Sequence, residues 1–102
     1  MNELFGLRAN EIELIKTILA RDPAVQEAII FGSRAKGNHK PGSDVDIALK
    51  GDELTLNNIS LLSDILNEET LMPYNFDLID YYKIRNQELK DHIDRIGIRI
   101  FP

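Results

Sequence analysis

The sequence predicts an α/β (α+β) domain, a small mixed β-sheet flanked by helices. Three observations carry this. Two amphipathic stretches place apolar residues at helical spacing: Ile12, Ile15 and Leu19, then Leu56, Ile59, Leu62 and Leu66. Between and after them come short runs of another kind, "AIIF" (Ala28 to Phe31), "DVDIAL" (Asp44 to Leu49) and "FDLIDY" (Phe76 to Tyr81). These are wholly apolar, alternating, or β-branched and aromatic, as strands are. The joints are dense in turn residues, above all "GNHKPGS" from Gly37 to Ser43.

Taken in order, the first helix is expected to begin near Asn10, which can cap it with Glu13 three positions on, in the manner of a capping box. Leu14 and Ile18 widen its apolar stripe. Pro23 ends it, because the residue before a proline avoids helical geometry. "AIIF" is then a central strand running into Gly32. In the strand after the loop, Asp44, Asp46 and Ala48 share one face while Val45, Ile47 and Leu49 take the other. The second helix carries Leu61 and Ile65 beside its stripe, with the whole stripe from Leu56 to Leu66 read as core, and stops before Pro73. "FDLIDY" is a third strand. A last helix runs from about Asn86 to Ile96, stopped by Gly97, with Lys90, Asp91, Asp94 and Arg95 as its wet face. "IRIF" is a candidate short edge strand. Tyr81 and Tyr82 read as strand-end packing and His39 as a solvated loop residue.

At 102 residues, the chain is expected to form a single domain spanning 1–102. Its 43% hydrophobic content suffices for a small core, burying roughly two-thirds of the unfolded surface, with little left for a lobe that selects a substrate. The longest apolar runs are far too short to span a membrane, and "MNELFGLRAN" lacks the basic-then-apolar form of a signal peptide. A cytoplasmic location away from membranes is the expectation. The absence of cysteine excludes disulfides and thiolate-bound zinc. With His39 and His92 as the only histidines, any bound metal is held by oxygen, which favours magnesium or manganese. A formal charge of −5 argues against direct, stable nucleic-acid binding. It leaves open a nucleotide bound together with its metal.

The chemistry is concentrated between Phe31 and Leu49. If the chain turns into a short helix at Gly32-Ser33, its free N–H groups form an anion site: glycine admits a phosphate to the backbone and the Ser33 hydroxyl adds a donor. Arg34 and Lys36 can neutralise further phosphate charge, or stand as solvated cations. Asp44 and Asp46, two apart in a strand, project side by side and raise each other's pKa unless a cation joins them. Magnesium resolves that conflict with a few carboxylate oxygens, water and substrate phosphate. A third carboxylate would complete a two-metal arrangement. Asp77 and Asp80 are three apart and face opposite sides of their strand, so one of them can join the pair; periodicity does not choose between them.

"GS", ten residues, then "DVD" resembles the signature of the minimal nucleotidyltransferases (MNT family) of the DNA polymerase β superfamily, with Gly32, Ser33, Asp44 and Asp46 matching position by position. The resemblance extends over nearly the whole chain and implies the palm-like nucleotidyltransferase fold. It also selects Asp77, the first aspartate of "FDLID", as the third acidic residue, leaving Asp80 as a decoy. The family implies a reaction in which ATP binds with two magnesium ions (manganese being the substitute). Ser33 and nearby amides hold the outer phosphates, and a hydroxyl attacks the α-phosphate. Asp44 and Asp46 would bind both ions, and Asp77 the catalytic ion. Short members of the family pair with HEPN-domain proteins in toxin–antitoxin systems, transferring AMP to a tyrosine of the HEPN ribonuclease. The resemblance therefore implies a protein adenylyltransferase and antitoxin acting on a HEPN-domain partner, as a hetero-oligomer or homodimer. A small-molecule nucleotidyltransferase and an antitoxin acting by binding alone are the two alternatives.

Overall fold

A computed structural model describes residues 3–102. The chain opens on a hairpin that the sequence did not announce, β1 (Glu3–Leu4) and β2 (Leu7–Arg8). Strands of two residues carry no readable periodicity. The signal lies in the turn, where Phe5 and Gly6 both take positive φ, 60° and 73°, as a two-residue connection between antiparallel strands demands.

β2 runs straight into helix α1 (Ala9–Ala20), so the cap falls at Arg8 instead of the expected Asn10. The three-residue spacing survives, shifted by two: the Arg8 N–H donates to Glu11 Oε1 at 2.9 Å. Glu13 pairs with Lys16 instead. Strand β3 (Glu27–Phe31) follows, then the short helix α2 (Gly32–Lys36), strand β4 (Val45–Lys50) and helix α3 (Leu56–Glu68). Thr55 caps α3, accepting the Asn58 N–H at 3.2 Å while its own N–H donates to Asn58 Oδ1 at 2.8 Å. Strand β5 (Phe76–Asp80), a 3₁₀ turn (Tyr81–Lys83), helix α4 (Gln87–Ile96) and strand β6 (Ile98–Phe101) complete the chain. Asn86 caps α4 and Gly97 ends it, as the sequence indicates.

Four strands form the main sheet in the order β5-β4-β3-β6. β3 is antiparallel to both its neighbours, while β4 and β5 are parallel. A parallel pair needs a crossover, and α3 supplies it. The sheet is thus mixed, as predicted, and "IRIF" is one of its two edge strands. Period two then sorts the side chains. Ala28, Ile30, Val45, Ile47, Leu49, Phe76 and Leu78 face α1 and α3 and meet Ile15, Ile18, Leu19, Ile59, Leu62 and Leu66 in the main core. Ile29, Phe31, Ala48 and Ile79 face the other way, towards α4, and pack with Tyr81 and Ile93. The α3 stripe is only partly core: Leu56 is 75% exposed, because it precedes the turn that meets the sheet. Tyr81 is buried and donates to Asp94 Oδ1, whereas Tyr82 is exposed. Asp94 accepts that bond from the exposed face of α4, where the sequence places it. Among the described residues no helix is long and apolar enough to cross a membrane.

Near the end of α3, Asn67 grips the first residue of β5. Its Nδ2 donates to the Phe76 carbonyl at 3.0 Å, and its Oδ1 accepts the Phe76 N–H at 2.7 Å. This clamp sets where β5 begins, one residue before Asp77. Replacing Asn67 by Ala leaves both main-chain groups without their side-chain partner, an expected loss of about 2 kcal/mol. Calorimetry should register a melting temperature lower by roughly 10 °C. An unshifted transition would show that water replaces the clamp at no cost.

Candidate active site

The end of the sheet where β3 stops and β4 and β5 start gathers most of the residues that the sequence singled out. In the β4–β5 ladder Asp46 pairs with Asp77, and Leu49 with Asp80. Directly paired residues of a parallel ladder point to the same face, so Asp77 joins Asp46 on the side of Ala48 and Ile79. Asp80 goes elsewhere. Its carboxylate caps the 3₁₀ turn by accepting the Tyr82 N–H at 3.1 Å, with Lys83 at 3.8 Å. Asp44 stands one residue before β4. Asp44 and Asp77 are exposed, and Asp46 between them is half-buried.

The electrostatics follow from this placement. Burial pushes the Asp46 carboxyl above its ordinary value, and the charges of Asp77 and Asp44 push it further, with Arg34 opposing. The charges of Asp44 and Asp77 thus both act on Asp46. Among the described residues, no three His, Cys, Asp or Glu side chains are grouped closely enough to hold a metal ion by themselves. The donor set still fits a hard divalent cation such as magnesium or manganese. Its donors are all carboxylate oxygens, two of the three carboxylates are open to water, and such ions keep much of their shell as water and phosphate.

Across the sheet, Phe31 is the register partner of Asp46. The next residue, Gly32, has φ +74°, and a Cβ placed on it would lie 2.4 Å from Asp46 Oδ2. Glycine is required twice over here, by the left-handed backbone and by the carboxylate beneath it. Ser33 follows, half-buried at the start of α2, and Gly37 closes that helix in the left-handed conformation at φ +84°. The Gly32 amide is not free for a phosphate as expected: it donates to His92 Nε2 at 3.1 Å. His92, on α4, is a residue that sequence reasoning missed, since nothing local links positions sixty apart.

Arg34 also departs from expectation. It is 3% exposed, so it is neither a solvated cation nor a free phosphate ligand. Its Nη2 donates to the Ser43 carbonyl at 2.8 Å, its Nε to the Ser43 and Asp44 carbonyls at 3.2 Å each, and its Nη1 to the Phe5 carbonyl at 2.8 Å. The guanidinium lies 4.9 Å from the centre of the Tyr74 ring. Arg34 therefore ties the first hairpin to the loop that delivers Asp44. Lys36, by contrast, is exposed at the end of α2. His39 is half-buried over Gly6 with its Nδ1 sealed from solvent and unpaired, not a solvated loop residue. A cavity of about 450 Å³ lies at the opposite end of β5, lined by Leu56, Ile59, Leu78, Ile84, Leu89 and the capping Asp80. It is mostly apolar, and none of Asp44, Asp46 and Asp77 lines it.

Comparison with known proteins bears on the fold. None of the curated proteins matches the chain. Among solved structures, a chain of a toxin–antitoxin complex with AMP-PNP superposes with a TM-score of 0.73 at 23% identity, covering 87% of this chain and 71% of that one. A chain of the MntA–HepT toxin–antitoxin complex gives 0.70 at 20% identity, with 91% and 71% covered. A chain of the tri-AMPylated Shewanella oneidensis HEPN toxin in complex with MNT antitoxin gives 0.66 at 21% identity, with 87% and 67% covered. These likenesses establish a shared fold. The sequence profile of the family described as "Polymerase beta, Nucleotidyltransferase" matches residues 13–102, so the chain belongs to the polymerase beta nucleotidyltransferase family.

Proposed function

We propose that the chain is an adenylyltransferase that moves AMP from ATP to a tyrosine hydroxyl of a HEPN-domain toxin, and thereby acts as its antitoxin. One observation carries the catalytic half of this reading: Asp46 and Asp77 are paired in register beside the Gly32–Ser33 turn, with Asp44 next to them. The partner half is supported by the similar folds, which come from toxin–antitoxin complexes, one holding AMP-PNP and one an AMPylated HEPN toxin.

Each residue has a task in that reaction. Asp44, Asp46 and Asp77 would hold divalent ions, magnesium or manganese, which when bound neutralise phosphate charge and polarise the α-phosphate. Ser33 would donate to the outer phosphates, with Lys36 as a further cation within the same element. The acceptor oxygen bonds to the α-phosphorus as the bond to the bridging oxygen of the β-phosphate breaks. Pyrophosphate leaves with the electron pair, and Asp77 takes the hydroxyl proton. Positioning and charge stabilisation supply most of the rate in such transfers. Arg34 contributes at one remove, by holding the Ser43–Asp44 backbone.

The test uses α-labelled ATP and magnesium with the purified chain, alone and with a cognate HEPN protein. Label on the HEPN protein that is lost with Asp44→Asn is the expected result. Label on a small hydroxyl compound only would assign the transfer to a small-molecule acceptor. Protection by the Asp44→Asn, Asp46→Asn double variant, with no label on any acceptor, would make the chain an antitoxin by binding.

A further inference from the structure

We infer that His92 is a positioning residue of the transfer site, holding the Gly32 peptide so that Ser33 and Asp46 keep a fixed relation. This inference rests on the nucleotidyltransferase reading above. His92 Nε2 accepts the Gly32 N–H at 3.1 Å, a bond between residues sixty apart in the chain. An imidazole nitrogen that accepts must be unprotonated, so the ring carries its proton on Nδ1. The ring is set by an edge contact with Phe31, centroids 6.2 Å apart and planes at 81°. Phe31 is also the register partner of Asp46. The peptide that His92 holds therefore joins the residue beside Asp46 to the residue lying on its carboxylate.

Two facts make this bond matter. Gly32 sits at φ +74° with no side chain to restrain it, at the junction where β3 passes into α2. It also lies so close to Asp46 that even a methyl group would strike Oδ2 at 2.4 Å. Any rotation of that peptide shifts both the carboxylate beneath and Ser33 one residue on. Removing the acceptor leaves a part-buried N–H unpaired, which favours such a rotation. His92 makes no contact that places it on reacting atoms. It acts through Gly32.

Glutamine reaches with its amide oxygen about as far as Nε2 does, and asparagine falls one methylene short. The full chain and its His92→Gln and His92→Asn variants would be titrated by calorimetry with magnesium and a non-hydrolysable ATP analogue. Exchange of the Gly32 amide would be followed by NMR on the same samples, with melting curves as the control for folding. His92→Asn is expected to bind about tenfold more weakly with a faster-exchanging Gly32 amide, and His92→Gln to stay within about threefold of the parent on both readouts. Equal binding by all three proteins would overturn the positioning role, as would weakening in both variants alike. If the parent protein itself binds no nucleotide, the transferase reading fails and the role of His92 in it falls too. A Gly32 amide that stays protected by His92 in that protein would mark the fault as lying in the reading, not in the hydrogen bond.

Discussion

Replacing Asp46 by Asn is expected to stop nucleotidyl transfer and, in the same protein, to raise the melting temperature measured without metal. The two effects have one origin. Asp46 sits half-buried beside Asp77 and Asp44, and burial together with those charges lifts its pKa above the usual 3.8. A carboxyl whose folded pKa is raised binds its proton more tightly in the folded state than in the unfolded one. Its contribution to stability is therefore fullest below the unfolded value and is lost as pH rises through the folded one. At neutral pH the metal-free protein carries an ionised Asp46 at a cost, and asparagine removes that cost. Melting curves from pH 4 to 8 without metal should fall with rising pH for the parent and flatten for Asp46→Asn. Magnesium should raise the parent's transition by a few degrees, corresponding to about 1 kcal/mol, and leave the variant's unmoved. On the proposed assignment the transfer rate drops at least roughly a hundredfold, as when one preorganised electrostatic group is lost. A variant that magnesium stabilises as much as the parent would remove Asp46 from the ion-binding set.

Arg34→Met carries the largest expected effect on the fold. Methionine keeps much of the apolar stem but leaves the Ser43, Asp44 and Phe5 carbonyls without their shared donor. Unsatisfied buried acceptors and the lost stacking on Tyr74 together cost about 4 kcal/mol, a drop on the order of 20 °C in the melting temperature. Arg34→Lys should recover less than half of this, because a single ammonium cannot reproduce a planar fork that reaches three carbonyls. The opposite outcome is specific. If Arg34→Met melts like the parent while nucleotide binding collapses, the guanidinium serves phosphate after all.

The sequence and the structure agree where the physics is local. Helical spacing over Ile15, Ile18 and Leu19 and over Ile59, Leu62 and Leu66, alternation from Val45 to Leu49, and the capping asparagine at position 86 all express themselves within a few residues. They disagree where a partner lies far along the chain. Arg34 looks like an exposed cation because nothing around it in "GSRAK" shows that Phe5 and Ser43 will close over it. Leu56 looks like core because the heptad-like count does not reveal where the helix leaves the sheet. The cap of α1 moves from Asn10 to Arg8 because a hairpin too short to show a period feeds directly into the helix.

The chain's own letters determine that Asp46 and Ala48 share a face, that Asp77 and Asp80 do not, and that glycine precedes the serine at the turn. These are consequences of a two-residue period and of one missing Cβ. Which of Asp77 and Asp80 meets Asp46 is decided by strand register, which brings Asp77 opposite Asp46 and turns Asp80 away to cap the next turn. That His92 holds Gly32, and that Arg34 is buried beneath the loop it ties, are decided only when α4 and the first hairpin pack onto the sheet. Hydrogen bonds between distant segments form only between groups that packing has already brought within reach, and packing is a property of the whole chain.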